Sequence, residues 1–232
     1  MKPLKTLVIS MVGIAAILAG YVLHNHIVKV KAARQEHAVA PSAYFPAGAI
    51  WTKDISHAPL DPQSSTIIAW LADAGGWGFG KMNVDFSLRV LQANANTPFV
   101  PFRKGPGFYT GDSDMVSTFP LPGGGGIEGA PGYQCNTEQG DCHLIVADRG
   151  HGKLYEAYQA NYADGALSAT DLVVWDLNRI YPPSGRGDQC TSADAAGFPI
   201  APLLFNADEL AAGSINHAIR FILPNQIGRA HV

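Results

Sequence analysis

Glycine and proline constrain this chain more than any motif does. They supply 25 and 16 of its 232 residues and fall between short apolar runs. That spacing is the punctuation of many turns joining short strands, because glycine reaches positive φ freely and proline presets a turn while breaking helices. The expected fold is mainly β, a β-sandwich or jelly-roll-like sheet packed with two or three short helices. Residues 44–225 are the right size for one domain with one core. Net charge is -3, and no Lys/Arg cluster occurs in that body. The electrostatic footprint of nucleic-acid binding is therefore missing, and DNA and RNA are excluded as main partners.

The β signal is clearest at residues 144–160, where LIVAD runs into the turn RGHG and KLYEAYQA returns. A third strand, 171–177, is expected after the turn at Ala163, Asp164 and Gly165, which makes a meander. Asp61 as N-cap and Pro62 as first helical residue open the best helix, with Ile67, Ile68, Trp70 and Leu71 as apolar positions and Gly75 and Gly76 past its end. Asn206, Asp208 and Glu209 cap a second helix that stops at Gly213, and 217–223 reads as another strand. Residues 105–132 are broken by glycine and proline too often for regular structure, so a long loop is expected. G-x-G-x-x-G, Walker A and G-x-S-x-G patterns are all missing.

Ahead of this body lies an address. Residues 6–23 form an uncharged apolar run behind Lys2 and Lys5, about 27 Å as a helix and enough to cross a bilayer core. A cleavable signal needs small residues soon after the run, yet the run leads into Tyr21, Val22, Leu23 and His24, and Ala38-Val39-Ala40 lies far beyond and precedes Pro41. An uncleaved anchor is favoured over a signal peptide, and a buried core helix is the alternative. Lys29, Lys31 and Arg34 balance the charges on the other side, so the positive-inside rule leaves orientation open. The expected division is 1–28 signal-anchor or signal peptide, 29–43 linker, 44–225 globular domain and 226–232 non-native tail. The tail, QIGRAHV, back-translates into the start of a common sequencing adapter, so a C-terminally truncated domain is expected.

Export would place the domain in the periplasm, at the cell surface or outside the cell, held to the membrane through residues 6–23. The cysteines agree. Cys135 and Cys142 bracket a polar loop that can close a hairpin with a disulfide, although Cys190 is left over and its pairing with either stays open. Zinc is the rival reading, but C-x-x-C is missing. No metal and no cofactor are expected.

Several segments carry a resemblance: 49–60, PLPGGGGIEG at 120–129, HLIVADRGHGKLYE at 143–156, TSADAAGFPI at 191–200 and DELAAGSINHAIRF at 208–221. Together they resemble an uncharacterised family of secreted bacterial proteins over most of 44–225. The resemblance implies export and a single domain, and no reaction. Family members continue past the HAIRF segment, in keeping with a truncated end. This chain departs from the commoner pattern in the turn from Arg149 to Gly152 and in its CNTEQGDC loop.

Candidate chemistry follows from strand register. If Asp148 pairs with Lys153, then Ile145 faces Glu156 and His143 faces Tyr158, so His143, Glu156 and Tyr158 share one face. That face is either an ordinary wet sheet surface or a concave site suited to sugar hydroxyls and acid/base work. Asp148 falls on the opposite face, where an ion pair with Lys153 is the plain account. His217 alternates with Ile219 and Phe221, the pattern of a hydrogen-bonded core histidine, while Arg220 points towards solvent or an acidic partner. Asp112, Asp114 and Glu128 lie in the glycine-rich loop and Asp194 in SADAAG; Ser192 and Cys190 sit on no recognisable nucleophile elbow. The leading expectation is a carbohydrate-active envelope protein acting on a polysaccharide, a glycoside hydrolase or polysaccharide lyase. Its catalytic set would be Glu156, Glu128, His143 and Asp148, with Asp114, Tyr158, Asp194, His217 and Arg220 binding substrate. The alternative is a non-catalytic adhesion module that binds glycan or protein through Tyr155, Tyr158, Tyr162 and Trp175.

Overall fold

A computed structural model describes residues 44–76, 87–136, 140–187 and 192–221. The apolar run at 6–23, the linker, Cys190 and the tail at 226–232 lie outside the described residues. Among those described, no helix is long and apolar enough to cross a membrane.

The protein is mainly β. The described strands are β1 (Val90–Gln92), β2 (Phe99–Lys104), β3 (Thr118–Pro120), β4 (Leu144–Asp148), β5 (Lys153–Tyr158), β6 (Asn161–Ala163), β7 (Ala166–Ala169) and β8 (Asp171–Asp176). They form two four-stranded sheets, ordered β1-β4-β5-β8 and β3-β2-β7-β6. The β4–β5 hairpin has the predicted register, with Ile145 opposite Glu156 and Asp148 opposite Lys153. β8 follows antiparallel on β5, so the three-strand meander is present. Its connection differs from expectation. The turn at Asp164 and Gly165 closes a separate hairpin, β6–β7, which belongs to the other sheet. Both turn residues have positive φ, 50° and 73°, as a two-residue hairpin loop requires. Two pairings, β1 with β4 and β2 with β7, are parallel. β3 also gives regular structure to a segment that its glycines and prolines marked as loop.

The first sheet is buried on both faces, which corrects the picture of a wet surface. Ile145, Ala147, Leu154, Val173 and Trp175 pack with Tyr44, Phe45, Trp51, Tyr181 and Ile200. On the other side Leu144, Val146, Tyr155, Ala157 and Leu172 share a cluster with Ile127 and with Phe102, Phe119 and Leu167 of the second sheet. Double-sided burial explains why β4 reads as an unbroken apolar run, and each such side chain contributes about 1.5–3 kcal/mol. Trp175 and Tyr155 are thereby core residues and cannot serve as surface aromatics.

The helices are short. α1 (Ser64–Asp73) starts later than its Asp-Pro signal predicts. Asp61 instead makes a turn ahead of it, its Oδ1 accepting from Gln63 N at 2.7 Å and its carbonyl from Ser64 N at 2.9 Å. Only Leu71 of α1 is buried. α2 (Ala207–Ala212) has the predicted capping box of Asn206 and Glu209, with Gly213 at φ 71° closing it. Residues 217–221 are not in a strand. Ala218 N and Arg220 N donate to the carbonyls of Trp51 (2.7 Å) and Leu203 (3.1 Å). Each carbonyl belongs to a short 3-10 turn, Ile50–Thr52 or Ala201–Leu203, so the edge is spent on turns and not on a neighbouring strand.

Candidate functional site

At one end of the first sheet a cleft of ≈ 810 Å³ opens beside His143, Tyr158 and Asp171. These three follow from register. Tyr158 pairs with Asp171, and His143 lies one step before Leu144, whose partner is Ala157. The His143 and Tyr158 rings are 5.4 Å apart. Asp141 and Tyr109 complete this wall, and Ser192, Asp194, Phe198 and Arg220 line the opposing one.

Glu128 reaches the site from the glycine-rich loop. A Cβ at Gly126 would lie 2.6 Å from the Ala130 carbonyl oxygen, so glycine is needed for the tight path that presents Ile127 to the core and Glu128 to His143. Glu128 N donates to the His143 carbonyl at 2.8 Å. Glu128 Oε2 lies 2.6 Å from His143 Nδ1, while His143 Nε2 lies 3.0 Å from the Ala193 carbonyl. Both ring nitrogens thus face oxygen acceptors, and satisfying both requires a proton on each. The pKa agrees in direction: burial pushes it down, but the Glu128 hydrogen bond and charge and the Ala193 carbonyl outweigh that and hold the ring above its usual value. A doubly protonated ring meets both acceptors, and an imidazole so engaged is poorly placed to be a general base.

The opposing wall is a self-bonded loop. Ser192 Oγ donates to Asp194 Oδ1 at 2.7 Å and accepts from Gly197 N at 2.8 Å. Asp194 Oδ2 pairs with Arg220 at 2.8 Å, the acidic partner anticipated for that arginine. Ala195 stands at φ 62°, a strained value for a residue with a side chain. On the near wall, burial raises the Asp171 carboxyl despite a hydrogen bond from Ser113. Burial and the neighbouring Asp141 charge raise the Tyr158 phenol.

Other expected site residues fall elsewhere. Glu156 is fully enclosed and does not line the cleft. Its oxygens accept from Trp175 Nε1 at 3.0 Å and Ala201 N at 2.8 Å, which ties the opposing segment to the sheet. Burial, partly offset by the Ala201 and Ile200 amides, pushes its carboxyl up to about 7. Asp148 lies five residues along from His143, about 16 Å at strand spacing, on the other face. Its partner is His151, with Oδ2 2.7 Å from Nδ1, and Lys153 pairs with Asp176 at 3.4 Å instead. Asp114 acts as a stitch on the edge strand β8, accepting from Val174 N at 2.8 Å and pairing with Arg186 at 2.6 Å. The His217 side chain is buried against Glu209 (3.1 Å) and its own neighbour's carbonyl, so it joins α2 to the 217–220 segment.

The structure thus brings together His143, Glu128, Tyr158, Asp194 and Arg220, and leaves out Glu156, Asp148, Asp114 and His217. It adds Asp141, Asp171, Tyr109 and Phe198, which sequence reasoning missed. Asp171 had a signal in its register with Tyr158; Asp141 had one in standing beside Cys142, whose disulfide to Cys135 is formed across a Cα–Cα distance of 5.6 Å. Glu128, Asp141 and His143 each offer a possible metal-ligand atom, all within 4.8 Å of one another. Compared with family models, with curated proteins and with solved structures, the chain has no match.

Proposed function

We propose that this is a carbohydrate-active protein of the cell envelope whose cleft takes a neutral glycan. The observation that carries the reading is the composition of one concave surface: the rings of Tyr109, Tyr158 and Phe198 beside the carboxylates of Asp141, Asp171 and Asp194. Aromatic rings stack on the apolar faces of sugars, and carboxylates accept their hydroxyls. Asp141, Asp171 and Asp194 outnumber the one arginine of the lining, Arg220, which is engaged with Asp194. Such a wall repels polyanions, which favours a neutral chain over the uronates a lyase would need. A sandwich-like β scaffold and the Cys135–Cys142 disulfide fit an exported glycan-directed protein.

In this reading Asp171 is the proton donor of a hydrolase, because burial raises its carboxyl. One observation favours the adhesion module instead: Asp171 already receives a hydrogen bond from Ser113 and Glu128 is ion-paired, so neither carboxyl is idle. Incubation with neutral and acidic polysaccharides, read as released reducing ends and as retention on immobilised glycan, tests both. Turnover on a neutral glycan that Asp171→Asn abolishes establishes the hydrolase. Retention without turnover establishes the module. Neither cleavage nor retention with any neutral glycan would refute the proposal.

A further inference from the structure

We infer that Glu128, Asp141 and His143 form a binding site for one divalent transition-metal ion of the zinc type at the wall of the cleft. His143 is 6 % exposed, and its Nε2 is 3.0 Å from the Ala193 carbonyl, an atom that can only accept. Nε2 therefore carries a hydrogen, and Nδ1 is the nitrogen aimed at the carboxylates. This is the arrangement by which proteins orient a metal-binding histidine: one nitrogen donates to a backbone carbonyl and the other is presented to the ion. Ala193 is fifty residues along from His143 and is not one of the three ligands, so the orienting contact is independent of them.

Charge and spacing agree. Two carboxylates and one neutral imidazole neutralise a divalent ion, and a mixed N/O set suits zinc better than calcium or magnesium, which prefer oxygen alone. Ligand atoms on one zinc lie about 3–4.3 Å apart, given bonds of about 2.0–2.2 Å. The three atoms here lie within 4.8 Å of one another, so the set needs to draw in by less than an ångström or so. One contact must open slightly, because Nδ1 and Glu128 Oε2 are 2.6 Å apart. Without an ion, the Nδ1 proton bridges that gap; the ion takes the proton's place.

The backbone holds the donors in position. Asp141 and His143 flank Cys142, which is tied to Cys135. The Asp141 and Cys142 carbonyls accept from Gln159 N and Ala160 N at 2.9 and 3.2 Å, and Glu128 N is bonded to the His143 carbonyl. Asp141 and His143 line the cleft, so an ion held between them borders that space.

The inference needs no glycan and is tested without one. Tag-free full-length protein, stripped with chelator, is titrated with ZnCl2 by calorimetry, with CaCl2 in parallel. One zinc per chain is expected, with Asp141→Asn and Glu128→Gln each weakening it on the order of 10–100-fold or more and calcium binding far more weakly. Absence of stoichiometric zinc binding, equal affinity for calcium, or unchanged zinc affinity in Asp141→Asn would overturn the site. To separate ligation from misfolding of a variant, ¹⁵N spectra of the wild-type histidines give a second reading. Zinc should shift Nδ1 of His143 and leave its Nε2 protonated; an unmoved Nδ1 refutes the assignment even if zinc binds elsewhere.

Discussion

Two carboxylate–histidine pairs stand near opposite ends of β4, and they have the same contact and different consequences. Glu128 meets His143 Nδ1 at 2.6 Å, and Asp148 meets His151 Nδ1 at 2.7 Å. In the first pair the imidazole is the buried member, its side chain 6 % exposed; in the second it is the exposed one, at 67 %. His143 has its second nitrogen closed by the Ala193 carbonyl. His151 rests its ring edge-on against Phe99, with centroids 5.6 Å apart. Distance alone would rank the pairs as equals. Burial and the second acceptor separate them, because a cation taken out of water must have all its donors met.

The largest effect is expected at the enclosed pair. Replacing His143 by Leu leaves Glu128 without its cation and the Ala193 carbonyl without its donor, and breaking a buried pair from one side costs about 3–5 kcal/mol. Glu128 retains some exposure, so the lower end of that range is expected. Urea unfolding of metal-free protein measures it. A loss under about 1 kcal/mol would show that the two pairs are equivalent after all.

Glu156 sharpens the comparison, because it is a carboxyl fully enclosed with amide and indole donors but no cation. Burial raises it from 4.5 to about 7. The folded state therefore binds this proton more tightly than the unfolded chain. Its stabilising contribution is full below about 4.5 and is lost as pH rises towards about 7. Unfolding free energy should fall by up to a few kcal/mol across that window. Glu156→Gln should flatten the slope, leaving the part of the same sign that comes from Asp171 and, at the upper end of the window, from His143. The variant should also be about 1–3 kcal/mol less stable in acid, since an amide NH2 must meet either the indole or a backbone N–H, donor against donor. An unchanged slope in the variant would remove Glu156 as its source.

The same contrast marks what could be read from the sequence. The apolar run and the RGHG turn were local signals, and they placed β4 and β5 in register with β8 to follow, which put His143 beside Tyr158. Side-chain fate was not local. Glu156 has the same register on either a wet or a dry sheet, and only the packing of Tyr44, Phe45, Trp51 and Ile200 over that face makes it an enclosed carboxyl. Lys153 was a sound partner for Asp148 by register, but the turn folds His151 back within reach, and Lys153 turns to Asp176. The HAIRF segment has strand periodicity with no strand to pair with, because its N–H groups meet isolated turns. Asp141 gained its place from a disulfide that spacing left open among three cysteines.

The smallest effect belongs to the exposed pair. His151→Ala removes an imidazole that is two-thirds in water, where an ion pair is worth about 0–1 kcal/mol. Asp148 is itself buried but keeps the His151 backbone N–H at 3.2 Å, a donor that survives the substitution. A loss of no more than about 1 kcal/mol is expected, together with an unchanged zinc isotherm, because this end of β4 is remote from the cleft. The decisive comparison is the ratio of the two histidine effects in one denaturant series. If His151→Ala costs as much as His143→Leu, enclosure of the imidazole is not what distinguishes the two ends, and the carboxylate–histidine contact common to both pairs must be carrying the energy.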